Sequence, residues 1–267
     1  MIRFSDYFLV ESPLEGVDPE QEREIITRSF ERNVISDILA TASTSNFDWD
    51  DCDTCPTKGV CDAAHKNNLI SSSSILEMIK HKIPTLDFSS FVKVDPNVDR
   101  VMIKFDDGGG MIHIPTELNS IIGPVIILHE IGHRLYSIDI LTKEMVDHEY
   151  ADAIFTLART IEDVRIEKLL EQDYPGAKEI FKDRARFIIP LYKDHTPSPF
   201  SKIVDSLFLY LRGYSKLFPY DDNLLNIANK FIDAGNNRDK KVKSIIELGE
   251  AISGLVIDPV KRGAEPR

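Results

Sequence analysis

Cysteine is scarce in this chain: Cys52, Cys55 and Cys61 are the only three in 267 residues. An odd number, in a chain whose start carries no long apolar stretch for export, speaks against a disulfide framework. Long apolar runs are also missing. The uninterrupted ones are short, such as Val125 to Leu128 and Leu207 to Leu211, and fall far short of the ~20 residues a membrane span needs. The expected location is therefore the cytoplasm, with no membrane partner. Positive charge is the minority sign. Lys and Arg number 32 against 44 Asp and Glu, a formal net charge of −12, which repels phosphate backbones and disfavours nucleic acid as a general partner. Internal repeats and low-complexity segments are absent.

Hydrophobic residues make up 42% of the chain, enough for a substantial core in one large domain or two small ones. Asp18-Pro19 is an N-cap followed by proline at the first helical position, and Ile25, Ile26, Phe30, Ile35 and Leu39 recur at helical spacing, predicting a helix over 19–42. A second helix is expected over 71–83. The period then changes. Residues 90–94 and 100–105 read as strands, Asp106 to Gly110 as a turn, and Met111 to Ile114 as the return strand of a hairpin. From Pro124 onward the pattern is helical, over 124–137, 142–172, 176–193, 199–217, 221–234 and 239–255. The fold class is α+β and mostly helical, with a small antiparallel sheet ahead of the helix at 124–137. The organisation reads as an N-terminal helical segment with the cysteine cluster (1–85), a metal-binding core (86–195) and a C-terminal helical segment (196–267), packed as one globular unit.

The chemistry-bearing motif is His129-Glu130-Ile131-Gly132-His133. Histidines at i and i+4 lie on one face of a helix, so two imidazoles reach one Zn²⁺. Glu130, one residue past the first histidine, is the general-base candidate for a water activated by the ion. Gly132 lets another element pack close. The flanking Val125, Ile126, Ile127, Leu128, Ile131 and Leu135 would bury the helix and limit solvent access to the metal.

Zinc needs a third protein ligand, and the best candidates lie one helix later in Ile161-Glu162-Asp163-Val164-Arg165-Ile166-Glu167. Neighbouring residues point about 100° apart on a helix, so one of Glu162 and Asp163 faces the metal. Glutamate reaches further and serves beside a His pair in thermolysin-type sites, which favours Glu162, with Asp163 the close alternative. The remaining acid would orient a ligating histidine and pair with Arg165, and Glu167 shares a face with Asp163. His148 and Glu149 are weaker ligand candidates.

These two stretches, His129 to Asp139 and Ile161 to Glu167, resemble the HExxH metallopeptidase domains found beside von Willebrand factor A domains, the cobaltochelatase T-subunit group, with similar stretches in large bacteriophages. The likeness covers residues 124–170. It implies a zincin-like fold for the 86–195 core and a metal site, and names no substrate. Arg159 stands where the family has asparagine, Ser137-Ile138-Asp139 displaces its Ser/Thr-Asp pair, and the residues after the motif helices read as helical rather than as a von Willebrand A domain.

Cys52, Cys55, Cys61 and His65 form a second cluster, three thiolates and an imidazole that match a closed structural zinc site. Free reduced thiols and an iron–sulfur or redox role are the alternatives. Its spacing echoes RNA-binding zinc fingers, but Asp48, Asp50, Asp51, Asp53 and Asp62 surround it and would repel RNA. Trp49 and Phe47 read as core residues. His113 reads as an exposed strand histidine sooner than a cleft residue. His195, Tyr136 and Tyr192 compete as transition-state donors. Asp106 and Asp107 read as turn residues.

The expected function is zinc-dependent hydrolysis of a peptide or protein substrate, with Met111 to Ile114 as the edge strand that holds it. The alternatives are a non-catalytic, metal-stabilised assembly or inhibitor protein with a protein partner, and a nucleic-acid-binding protein acting through the cysteine knuckle.

Overall fold

The computed structural model describes residues 69–106, 109–138, 140, 142–182 and 199–261. The expected helix at 19–42, the Cys52/Cys55/Cys61/His65 cluster, Trp49, Asp107, Tyr192 and His195 lie outside the described residues. The element order is β1 (Leu69–Ser71), α1 (Ser72–Lys82), β2 (Val92–Val94), β3 (Met102–Asp106), β4 (Gly109–Ile114), β5 (Glu117–Asn119), α2 (Ile122–Tyr136), α3 (Lys143–Val146), α4 (Ala151–Asp173), α5 (Pro199–Leu211), α6 (Asp222–Asp233) and α7 (Arg238–Lys261). The fold is α+β and mostly helical. Among the described residues no helix is long and apolar enough to cross a membrane.

The described residues fall into two compact units. One comprises 69–137 and 166–182, the other 138–165 and 199–261. Helix α4 runs unbroken through the change of unit, between Arg165 and Ile166.

In the first unit Ser71 caps α1 by accepting the Ser74 N–H, and Ile75 and Ile79 are fully buried. Strand β1 pairs antiparallel with β5, a contact between two short segments that carry too little alternation to be read as strands beforehand. The second sheet has the order β2-β4-β3, with β2 parallel and β3 antiparallel to β4. The sheet is thus mixed, and β4 is its central strand. Its two flanks are taken by Val92 to Val94 and Met102 to Asp106, so Met111 to Ile114 is not the edge strand that substrate addition requires.

Helix α2 begins two residues earlier than Pro124. Proline is tolerated in the first turn, where the N–H has no helical partner, and Asn119 supplies the cap: its Oδ1 accepts the N–H groups of Ile121 and Ile122 at 2.9 and 3.1 Å. At Gly123 a Cβ would sit 2.7 Å from Ile75 Cδ1 and 2.9 Å from Leu118 Cβ, so glycine is what lets α1, β5 and α2 meet. Arg134 ties the other end of α2 to β4, its Nε donating to the Gly110 carbonyl at 2.9 Å.

In the second unit the single helix expected over 142–172 is two helices. His148 accepts the Tyr150 N–H on its Nδ1 at 3.2 Å, a local bond that competes with the helical ladder and separates α3 from α4. Helices α6 and α7 form a hairpin whose turn contains Gly235 at φ +56°. Leu224, Ile227, Ala228 and Phe231 of α6 and Ile245, Leu248 and Ile252 of α7 are all buried, each large apolar side chain contributing about 1.5–3 kcal/mol by leaving water.

Candidate metal centre

His129 and His133 project from one face of α2, one turn apart, and their Nε2 atoms are 3.1 Å from each other. The rings meet edge to face, with centroids 4.7 Å apart. Each ring is held from behind through its other nitrogen. His129 Nδ1 lies 2.8 Å from Glu167 Oε1; the carboxylate accepts the Nδ1 proton, which leaves Nε2 with its lone pair. His133 Nδ1 lies 2.8 Å from Ser137 Oγ. Ser137 is four residues on from His133, at the C-cap of α2, a partner the sequence reading did not single out.

The close approach of α2 and α4 makes the His129–Glu167 bond possible. A Cβ on Gly132 would stand 2.7 Å from Leu170 Cδ1 and 3.4 Å from Ile166 Cδ1, so the glycine in the motif admits two side chains of α4. Glu167 is fully buried there. Asp163, one turn before Glu167 on the same unbroken helix, shares its face. One ligand atom from each of His129, His133 and Asp163 lies within 4.8 Å of the others. His129 is buried, and His133 and Asp163 are half-buried.

This donor set fits zinc. Two imidazole nitrogens and a carboxylate oxygen are borderline-hard ligands of the kind Zn²⁺ takes, and three protein ligands leave a position open. Two nitrogens each about 2.0–2.1 Å from a tetrahedral ion stand about 3.3 Å apart, close to the observed separation of the Nε2 atoms.

Glu162, favoured as third ligand by its reach, is turned elsewhere. Its Oε2 accepts from Arg165 Nε at 2.8 Å and from Lys241 Nζ at 2.9 Å, and its Oε1 from Arg165 Nη2 at 2.6 Å. The helical step of about 100° decides the matter: with Asp163 on the face of Glu167, Glu162 points away, into a buried ion cluster. Arg165 pairs with the acid that does not join the histidines. Burial pushes the Glu162 carboxyl up, but the Arg165 hydrogen bonds and the Lys241 charge outweigh it and hold the group below the usual carboxylate range. Burial pulls the Lys241 ammonium down, and Glu162 opposes that pull. Lys241 gave no sequence signal, since Asp239-Lys240-Lys241 reads as a solvated run.

Glu130 follows His129 on α2 and is fully buried, with His129 itself 8% exposed. Tyr136 is committed at the far end of α4, donating its hydroxyl proton to Asp173 Oδ2 at 2.7 Å. His113 is buried rather than exposed, its Nδ1 2.6 Å from Asp95 Oδ2. His148 Nε2 pairs with Glu250 at 3.1 Å. No protein-family profile, curated protein or solved structure matches the chain.

Proposed function

We propose that this chain is a zinc-dependent hydrolase of the metallopeptidase type, acting in the cytoplasm on a peptide or protein substrate. The observation that carries the reading is the convergence of His129 Nε2 and His133 Nε2 to 3.1 Å, with Asp163 completing a three-ligand group. Zinc held by these residues would supply a Lewis acid for the scissile carbonyl and make a water in the site more acidic. Glu167 keeps the proton of His129 on Nδ1 and so keeps Nε2 free to ligate. Ser137 fixes the plane of the His133 ring. Glu130 takes the proton of the attacking water and passes it to the leaving amine. The buried Ile127, Leu128 and Ile131 keep bulk water from the helix that carries these groups.

The test is zinc content by elemental mass spectrometry, together with cleavage of a quenched-fluorescent peptide library. Wild type should carry zinc in this site, His129→Ala should lose one equivalent, and Glu130→Gln should keep the metal and lose cleavage. A wild-type protein that takes up no zinc sinks the reading, and a Glu130→Gln variant cutting at the wild-type rate removes Glu130 as the base.

The complete burial of Glu130 favours one second reading, a metal-stabilised assembly or inhibitor protein that does no chemistry. It predicts that chelation unfolds the chain and that no peptide in the library is cut. The nucleic-acid reading rests on the cysteine knuckle alone, and the net charge of −12 opposes it.

A further inference from the structure

We infer that Arg134 is a specificity-determining residue: its guanidinium receives a carboxylate of the substrate, so that the substrate class is peptides with an acidic side chain or a free C-terminal carboxylate near the scissile bond. The inference rests on the metallopeptidase reading above and deepens it.

Arg134 follows His133 in the last turn of α2 and is exposed. It stands one turn beyond Glu130 on the same face, about 6 Å further along the helix axis. Each residue turns about 100° around the helix, which puts Arg134 on the Glu130 side of the two histidines. A peptide laid across that side advances about 3.3–3.6 Å per residue and brings a group a few positions from the scissile bond to Arg134.

The side chain is held in place with most of its donors to spare. Nε donates to the Gly110 carbonyl of β4 at 2.9 Å, and Cζ lies 5.7 Å from the centre of the half-buried Phe91 ring. These two contacts fix the guanidinium before any ligand arrives, and they engage one of its five N–H donors. The four on Nη1 and Nη2 have no hydrogen-bond or ion-pair partner among the described residues. They form an edge that takes a carboxylate by two parallel bonds. Beside it β4 begins with Gly109 and Gly110, which carry no side chain to crowd that edge.

A structural tie alone explains less. Binding one carbonyl beside a ring needs a single donor, which a lysine provides. A cation near a helix C-terminus is favourable, but that accounts for the charge and not for a planar fork held in place. In a chain of net charge −12, a fixed positive group one residue past a proposed metal ligand is a local attractor for an anionic part of the substrate.

The experiment is cleavage of four quenched-fluorescent peptide pools by the zinc-loaded full chain, for wild type, Arg134→Gln and Arg134→Lys. The pools combine a C-terminal carboxylate or amide with acidic residues present or replaced by their amides. Zinc content and folding by circular dichroism are followed in parallel. Wild type should cut carboxylate-bearing pools about 10- to 100-fold faster than the neutral amidated pool, the range for hydrogen bonds to a charged group. Arg134→Gln should lose that preference through a raised KM, with kcat, zinc content and the rate on the neutral pool held. Arg134→Lys, which keeps the charge without the fork, should retain part of it. A preference that survives amidation of the C-terminus assigns an acidic side chain, and one that vanishes assigns the terminal carboxylate. Equal rates on all four pools by wild type overturn the inference and leave the metallopeptidase reading standing. An Arg134→Gln variant that slows every pool equally, or loss of the fold in both variants, also overturns it and makes Arg134 a structural tie alone. A zinc-loaded wild type that cuts no pool removes the reading and the inference together.

Discussion

The carboxylate of Glu167 stands 2.8 Å from Nδ1 of His129, a residue 38 positions earlier in the chain, and thereby decides which ring nitrogen carries the proton. Glu167→Ala should leave His129 free to adopt either tautomer and to turn about its side-chain bonds. Outer partners of this kind change metal affinity by about 10- to 100-fold, so zinc binding by Glu167→Ala should weaken within that range in chelator competition. An unchanged affinity would mean that packing alone holds the ring.

The adjacent acids of α4 should separate cleanly by what they damage. Asp163→Ala removes the proposed third ligand, which is half-buried, and should abolish tight zinc binding at a smaller cost to the metal-free protein than Glu162→Ala. Glu162→Ala removes the buried carboxylate that Arg165 and Lys241 share, and breaking a buried ion cluster from one side costs about 3–5 kcal/mol. Denaturation of metal-free protein distinguishes the two. Equal stability losses in both variants would contradict the assignment of their roles.

Asp205 on α5 predicts a pH dependence unconnected with metal. It is 3% exposed, its Oδ2 has no hydrogen-bond partner among the described residues, and burial pushes its carboxyl up from 3.8 to about 7. The folded state therefore favours the protonated form. Below the unfolded value the group has no effect. As pH rises from there to about 7, the unfolded chain releases its proton first and stability falls, by on the order of 4 kcal/mol once both states are ionised. Asp205→Asn should match wild type near the acid end of this window and exceed it in stability above the upper value. Paired urea denaturation across the window tests this, and a constant difference at every pH would refute it.

The helices were legible because their signals are local. Ser71, Asp221 and the apolar spacing around them mark α1 and α6 within a residue or two of their bounds. The His pair was legible for the same reason, since i and i+4 on a helix fix a shared face without any tertiary knowledge. What escaped the sequence depends on contacts between distant segments. Nothing near Glu117 announces its pairing with Ser71, and nothing near Met111 says that Val92 to Val94 will cover its other flank and make β4 central. That Glu162 joins a buried ion cluster with Lys241 depends on a residue 79 positions away, and side-chain reach pointed the other way.

The 79 positions between Glu162 and Lys241 also have a consequence for the order of events during synthesis. Translation proceeds from the N-terminus at about 5–20 residues per second, so α2 and α4 leave the ribosome seconds before α7 does. Through that interval Glu162 has Arg165, on its own helix, as a partner, while Lys241 is still to be made. The His129-Glu130-Ile131-Gly132-His133 motif is translated early, but the lysine that meets Glu162 in the interior comes from a helix made later.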